Sequence, residues 1–127
     1  MFEKLDVIRM AQAMAAHAGT RQEAIARNVA NADTPGYRAM DLPNFAATYQ
    51  DRGTEMRASR SGHLRTESPA MSLQPRIADE AASPNGNTVS LEGEMVKAVE
   101  VRQQHDMALA IYRSTSDILR ASLGRGR

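Results

Sequence analysis

The chain has 127 residues, 42% of them hydrophobic, with a formal net charge of +1, two Phe, three Tyr, no Trp and no Cys. These numbers exclude a disulfide framework and thiolate chemistry, and the evenly spread charges argue against nucleic acid or an anionic membrane as main partner. No stretch reaches the ~20 apolar residues that span a bilayer, and the scarcity of large side chains predicts apolar surface buried partly against other chains.

The first segment predicts a long amphipathic helix over about residues 4–30. Its apolar positions step by three and four, which is close to a coiled-coil repeat. One narrow stripe cannot stabilise so long a helix alone. We therefore expect it to pack against other helices, through Leu5, Ile8, Ala11, Ala15, Ala18, Gln22, Ile25 and Val29.

Residues 10–18 (MAQAMAAHA) resemble the apolar part and cleavage site of a secretory signal peptide. Gln12 and His17 interrupt this apolar run, and Glu3 and Asp6 precede it. These features favour a helix that continues through the segment, so we expect no cleavage there.

Residues 28–42, NVANADTPGYRAMDL, interrupt the helical pattern. Asn28 and Asn31 tolerate the left-handed conformation that ends helices, and Pro35 cannot continue the hydrogen-bond ladder. The pair Pro35-Gly36 is typical of a type II turn in which Gly36 has a positive φ. The stretch therefore predicts both the end of the helix and a fixed direction of exit.

Residues 34–88 are predicted to be this turn followed by an extended loop insert, because large apolar residues are sparse and no period is sustained. Within the insert, residues 45–49 predict a short helix and residues 71–77 a short strand. Residues 83–87 (SPNGN) predict a turn.

The last segment predicts a second long helix. Ser90 is its predicted N-cap, and Glu92 and Glu94 lie in the first turn, where the helix dipole favours acidic groups. Two apolar stripes follow, which leaves room for more than one partner helix. The first contains Leu91, Met95, Ala98, Arg102, His105, Leu109, Tyr112, Ser116, Leu119 and Leu123, and the second Val101, Ala108, Ile111 and Ile118.

The predicted fold is therefore mainly α. The N-terminal helix (residues 1–33) and the C-terminal helix (residues 89–127) form one helical domain. They pack as a coiled-coil-like pair, antiparallel or parallel, and the loop-rich insert (residues 34–88) contains at most short strands.

No motif indicates a metal centre or an enzyme. The three histidines, His17, His63 and His105, lack the spacing of metal ligands on one helix, and no nucleophile-elbow or phosphate-binding motif occurs. Asp33 and Asp41 flank the turn and could form a carboxylate pair for glycan cleavage, but Asp beside Pro-Gly is ordinary turn chemistry. We expect neither catalysis nor a cofactor.

Tyr37 and Phe45 are two of the few aromatic residues. They either cover the turn locally or anchor a contact between subunits, since aromatic side chains are enriched at interface hot spots. Arg38 and Asp41 can pair within one chain or between chains, and an exposed pair would contribute less than about 1 kcal/mol.

The stretch NVANADTPGYRAMDL resembles the Asn-rich ANxxTPGY signature of the axial proteins of the bacterial flagellum, a family of rod, hook and filament-junction proteins. The start MFEKLDVIRMA, the string TPGYRAMDLPNF and the string NGNTVSLEGEM before the last helix resemble its proximal rod proteins in particular. The resemblance covers both ends of the chain. It assigns signature positions to Asn28, Asn31, Thr34, Pro35, Gly36 and Tyr37.

This resemblance implies a structural subunit of the basal-body rod, the drive shaft that transmits torque and surrounds the export channel. It implies type III export without a cleaved signal peptide. The implied partners are identical subunits, other rod proteins of the FlgC type, and a FliE-type junction protein with the export gate and MS ring. Assembly contacts are then expected through Leu5, Ile8, Ala15, Ile25, Val29, Leu91, Met95, Leu109, Tyr112 and Leu119.

A soluble helical adaptor or export chaperone that binds a partner helix is the alternative function. The same apolar stripes would serve it, but it needs neither a fixed exit at the turn nor self-assembly. Composition does not separate the two functions, and the signature favours the rod protein.

Overall fold

The computed structural model describes residues 2–50 and 73–124. Its elements in chain order are α1 (Phe2–Ala30), β1 (Met40–Asp41), α2 (Phe45–Gln50), β2 (Arg76–Ile77) and α3 (Leu91–Gly124). The two long helices pack together and the segment between them is rich in loops, so the predicted mainly α fold is confirmed.

Helices α1 and α3 run in opposite directions. Asn28, near the end of α1, donates a hydrogen bond to Glu94 near the start of α3, and Ile25 and Ala18 form a buried cluster with Val101. Of the two arrangements that the sequence allowed, the structure has the antiparallel one.

Three of the buried positions on each long helix repeat every seven residues, as in a coiled coil. They are Ala11, Ala18 and Ile25 on α1 and Glu94, Val101 and Ala108 on α3. Alanines let the helices approach closely, but each contributes little hydrophobic stabilisation compared with Leu or Phe. Polar contacts are therefore needed to fix how the two helices align.

The two predicted stripes of α3 lie in different surroundings. Val101 and Ala108, from the second stripe, face α1 and are buried, whereas Leu91 and Met95, from the first, are 49% and 68% exposed. Helix α1 therefore covers one stripe and leaves much of the other accessible to a partner.

The insert contributes a small antiparallel sheet and a short helix. Met40 of β1 lies opposite Ile77 of β2, so a strand is present at the end of the predicted 71–77 segment, whose residues 71 and 72 lie outside the described residues. Helix α2 confirms the predicted short helix, and Asn44 caps it by accepting a 2.8 Å hydrogen bond from the N–H of Ala47.

Two further local predictions are confirmed. Ser90 caps α3, since its Oγ accepts the N–H of Gly93 at 3.3 Å. In the SPNGN segment the N–H of Gly86 donates to the carbonyl of Ser83 at 2.8 Å, and Gly86 has a φ of +82°. Within residues 2–50 and 73–124, no helix has the length and apolar character needed to cross a membrane.

Candidate functional site

The turn that follows α1 has the predicted geometry. Gly36 has a φ of +73°, and the N–H of Tyr37 donates to the carbonyl of Thr34 at 3.2 Å. With Pro35 at the second position, these features define a type II turn. Thr34 and Pro35 are exposed, so the turn lies at the surface beside the end of α1.

The asparagines before the turn do not end the helix as predicted. No non-glycine residue in the described part of the chain has a positive φ, so the prediction of a left-handed Asn28 or Asn31 is wrong. The backbone and side-chain N–H groups of Asn31 both donate to the carbonyl of Arg27, at 3.1 and 2.8 Å. The side-chain amide of Asn31 therefore caps a carbonyl of the last turn of α1 without a left-handed residue.

Asn28 is fully buried, and its carboxamide joins three elements. Its Nδ2 donates to the carbonyl of Met40 at 2.8 Å and to Oε2 of Glu94 at 3.1 Å. Its Oδ1 accepts the N–H of Met40 at 2.9 Å and the hydroxyl of Tyr37 at 3.3 Å. The amide thus satisfies the backbone of β1 while it holds the end of α1 against the start of α3.

Asn87, in the SPNGN turn, also joins separate segments of the chain through its side-chain amide, and this side chain is buried as well. Its Nδ2 lies 2.8–2.9 Å from the carbonyl oxygens of Asn31, Ala32 and Thr34, and its Oδ1 accepts the N–H of Val89 at 2.7 Å. These carbonyls follow the end of α1, where backbone acceptors lack helical partners. The side-chain amide of Asn87, in the SPNGN turn, therefore supplies the hydrogen-bond donor for the backbone carbonyls that follow the end of α1.

The two turns also touch directly. The N–H of Gly36 donates to the carbonyl of Asn85 at 3.1 Å, and a Cβ on Gly86 would lie 3.4 Å from the Cα of Gly36. Glycine at both positions therefore provides the positive φ and the close approach. We call this meeting point of α1, both turns, β1 and α3 the junction.

A largely buried ion pair lies beside the junction. Arg21 donates two hydrogen bonds to Asp41, from Nε to Oδ1 at 2.8 Å and from Nη2 to Oδ2 at 3.1 Å. Of the two pairings left open for Asp41 and Arg38, the one within a single chain is not observed, because in the described part of the chain Asp41 pairs with Arg21 and Arg38 is exposed. A pairing between chains stays a prediction. Bidentate geometry makes this contact strong and directional.

Lys97 extends the ion pair into a network. Its Nζ donates to Glu80 and, at 3.0 Å, to Oε1 of the buried Glu94, and it lies 4.0 Å from Oδ2 of Asp41. Burial opposes the charge of Asp41, but the hydrogen bond and charge of Arg21, the N–H of Leu42 and the charge of Lys97 together outweigh burial and lower the pKa of that carboxyl. Burial likewise opposes the charge of Lys97, and its hydrogen bonds to the two glutamates raise its pKa.

The aromatic residues of the insert pack locally. Tyr37 is half-buried and donates to Asn28, while Phe45 meets the ring of His17 edge-on at 5.7 Å and the ring of Tyr49 at 5.3 Å. His17 is buried, and its Nε2 donates to the carbonyl of Pro43 at 2.7 Å. A second role of Tyr37 and Phe45 as anchors between subunits stays a prediction.

The predicted stripe residues occupy three environments. Ile25 is buried in the pair, and the remainder are half-buried (Ile8, Ala15, Leu109 and Leu119) or exposed (Leu5, Val29, Leu91, Met95 and Tyr112). Across residues 2–50 and 73–124 no group of three His, Asp or Glu is arranged to hold a metal ion, and His63 lies outside these ranges.

The sequence reasoning missed the roles of Asn28, Glu94 and Asn87 in the junction. One signal for Asn28 was available, because it follows the buried Ile25 by three residues, the spacing of one helix face, while being polar. A polar side chain at such a position requires hydrogen-bonding partners, and Glu94, which lies at a repeat position of the other helix, is one of them.

Known proteins match this chain both in the signature region and over most of its length. A family described as flagella basal body rod protein matches residues 10–38, which cover most of α1 and the turn. The flagellar basal body rod protein FlgB of Salmonella typhimurium strain LT2 is 33% identical over 127 aligned residues, covering 90% of this chain and 91% of the relative. FlgB of Escherichia coli strain K12 is also 33% identical, with 87% and 88% covered, and FlgB of Agrobacterium fabrum strain C58 is 26% identical, with 88% of each covered.

Proposed function

The chain belongs to the FlgB family of flagellar basal body rod proteins and is a structural subunit of the proximal rod, and we propose that its two long helices form one assembly domain. This domain comprises residues 1–33 and 89–127, and residues 34–88 form the turn and insert. In this proposal identical copies and other axial proteins cover the outer faces of the helices. The resulting rod crosses the periplasm, transmits torque and surrounds the export channel.

One observation carries the proposal: the helical pair leaves large apolar side chains uncovered. Leu91, Met95 and Val99 of α3, each about one helical turn from the next, are 49%, 68% and 69% exposed, although α3 already packs on α1. Single exposed apolar residues are common on soluble proteins, whereas a row along one helix marks an interaction surface. Head-to-tail contacts that do not close into a ring generate a helical filament, and a rod is one.

The junction supports the same proposal, because it fixes the direction in which the insert leaves the helices. Asn28 and Asn87 hold the turn to both helices, and Gly36 gives the turn its positive φ. We propose that every copy therefore presents its insert at one angle. A helical lattice needs such repeated geometry, whereas an adaptor or export chaperone does not.

We further propose that the other partners are FlgC-type rod proteins and a FliE-type junction protein beside the export gate and MS ring. Export is proposed to proceed without cleavage of a signal peptide. Helix α1 continues through residues 10–18, and Ala11, His17 and Ala18 are buried there, so cleavage after Ala18 would remove half of the packed helix. The protein is proposed to have no catalytic role, which fits the engagement of Asp41 by Arg21.

The test is incorporation into basal bodies in a strain that lacks its own copy of the gene. We expect Met95→Glu to abolish motility and incorporation, because it places a charge in the uncovered row, while the isolated chain keeps its helical circular dichroism. Gln12→Glu, which adds the same charge at an exposed polar position of α1, should assemble normally. Normal motility of Met95→Glu would contradict the proposed surface and favour the adaptor function.

A further inference from the structure

The two sides of the helical pair differ in what covers them. One side is covered by the insert. There β1 contacts Asn28 of α1, the segment before α2 contacts His17 of α1, and Glu80 contacts Lys97 of α3. On the opposite side the helices enclose an open groove of about 510 Å³, lined by Ala18, Gly19, Gln22, Val99, Val101 and Arg102 together with Ala98 and His105.

The groove has room for the side chains of another helix. Ala18 and Val101 form its buried floor, and Val99 stands 69% exposed at its edge. A Cβ built on Gly19 would meet no atom within 4 Å outside its own helical surroundings. The opening at Gly19 is therefore not filled by the described part of this chain.

A second apolar surface lies elsewhere on α3. Val96 and Met107 are 60% and 50% exposed, and with the exposed Glu100 and Gln103 they form a row spaced by three and four, which we call the strip. At 3.6 residues per turn, Arg102 and Met107 point about 140° apart around the helix axis. One copy therefore presents a groove and a strip in different directions.

We propose that the strip of one copy docks into the groove of the next copy of this chain. The strip has the three–four spacing of a helix that fits between two others. Its central charge is the carboxylate of Glu100, and the groove carries the guanidinium of Arg102 at its edge. Because groove and strip are different surfaces, the contact is head-to-tail and repeats from copy to copy, as the proposed rod requires. This inference rests on the proposed rod assembly and names its self-contact.

Charge exchange tests the pairing. We expect Arg102→Glu or Glu100→Arg alone to lower incorporation into basal bodies about tenfold, because each places like charges together. The double variant, which exchanges the two charges within every copy, should recover most of the loss. Loss without recovery in the double variant, or full incorporation of both single variants, would overturn the pairing.

Gly19 provides a test that does not weaken the fold. Gly19→Leu fills the groove, and replacement of a helical glycine by leucine favours the helix, so the isolated chain should keep or gain thermal stability while incorporation falls. Ala16→Leu, at an exposed position of α1 that does not line the groove, is the matched control and should assemble. Equal incorporation of both variants would refute the docking site.

Crosslinking identifies the occupant, because the chain has no native cysteine. Copies with Gly19→Cys and copies with Met107→Cys are expressed together and oxidised in isolated basal bodies. A disulfide-linked dimer of this chain is expected only when both are present, and Arg9→Cys in place of Gly19→Cys should give none. A link to another rod protein, or no link in assembled rods, would overturn the self-contact alone, whereas absence of the chain from basal bodies would overturn the rod assembly itself.

Discussion

Replacing Asn28 by aspartate changes the junction by a single functional group. The new side chain has nearly the same shape, but an oxygen replaces the Nδ2 that donates to Met40 at 2.8 Å and to Glu94 at 3.1 Å. Two hydrogen bonds of about 1 kcal/mol each are lost. In addition, a second carboxylate lies within hydrogen-bond distance of Glu94, where like charges disfavour each other. We expect the free energy of unfolding to fall by about 4 kcal/mol at pH 7.

Urea denaturation followed by circular dichroism at 222 nm measures this loss. Asn31→Asp makes the same chemical change three positions later, where the amide contacts an exposed helical carbonyl, and should cost less than about 1 kcal/mol. The deficit of Asn28→Asp should shrink at pH 5, because adjacent carboxylates can share a proton there. If Asn28→Asp were no less stable than Asn31→Asp, the assignment of Asn28 as the centre of the junction would be refuted.

Three further predictions concern the turn, the ion pair of Asp41 and the two long helices. Gly36→Val should cost about 1–2 kcal/mol because of the positive φ and should reduce swimming; unchanged swimming in soft agar would contradict a fixed exit. The pKa of Asp41 is lower in the folded than in the unfolded chain, so its ionised form adds stability above the unfolded pKa, and this stability is lost as pH falls through the folded pKa. Asp41→Asn should therefore lose less stability than the unchanged chain when both are titrated with acid below about pH 4. Equal loss of stability in the two proteins would contradict this role of Asp41. Amides of α1 and α3 should exchange hydrogen faster in the purified chain than in isolated rods, and equal protection would indicate a self-contained domain.

The sequence predicted the elements of this fold well, because strong local signals specify them. The three–four spacing gave both long helices, and Pro35-Gly36 gave the type II turn with the observed φ. Ser90 was identified as a cap from its position before two acidic residues. Each of these signals acts within a few residues, so no knowledge of the remainder of the fold was needed.

The long-range contacts could not be predicted in the same way. The nearby Arg38 was one possible partner of Asp41, but within the chain Asp41 pairs with Arg21, which is 20 residues away and on another element. The choice of stripe on α3 also depended on which face α1 covers, and both stripes have similar spacing. Such pairings depend on how the chain folds back on itself, which local periodicity does not specify.

The alanine-rich contact between α1 and α3 has a mechanical consequence. A slip of α1 by one heptad would replace Ala18 by Ala11 in one layer, an identical side chain, and would lose chiefly the packing of Ile25 against Val101. The apolar contact alone therefore resists sliding weakly. The same slip would move Asn28 about 10 Å away from Met40 and Glu94 and would break the hydrogen bonds that it makes with them. The junction thus fixes the axial alignment of the two helices, chiefly through the buried amide of Asn28, beside the ion pair of Arg21 with Asp41.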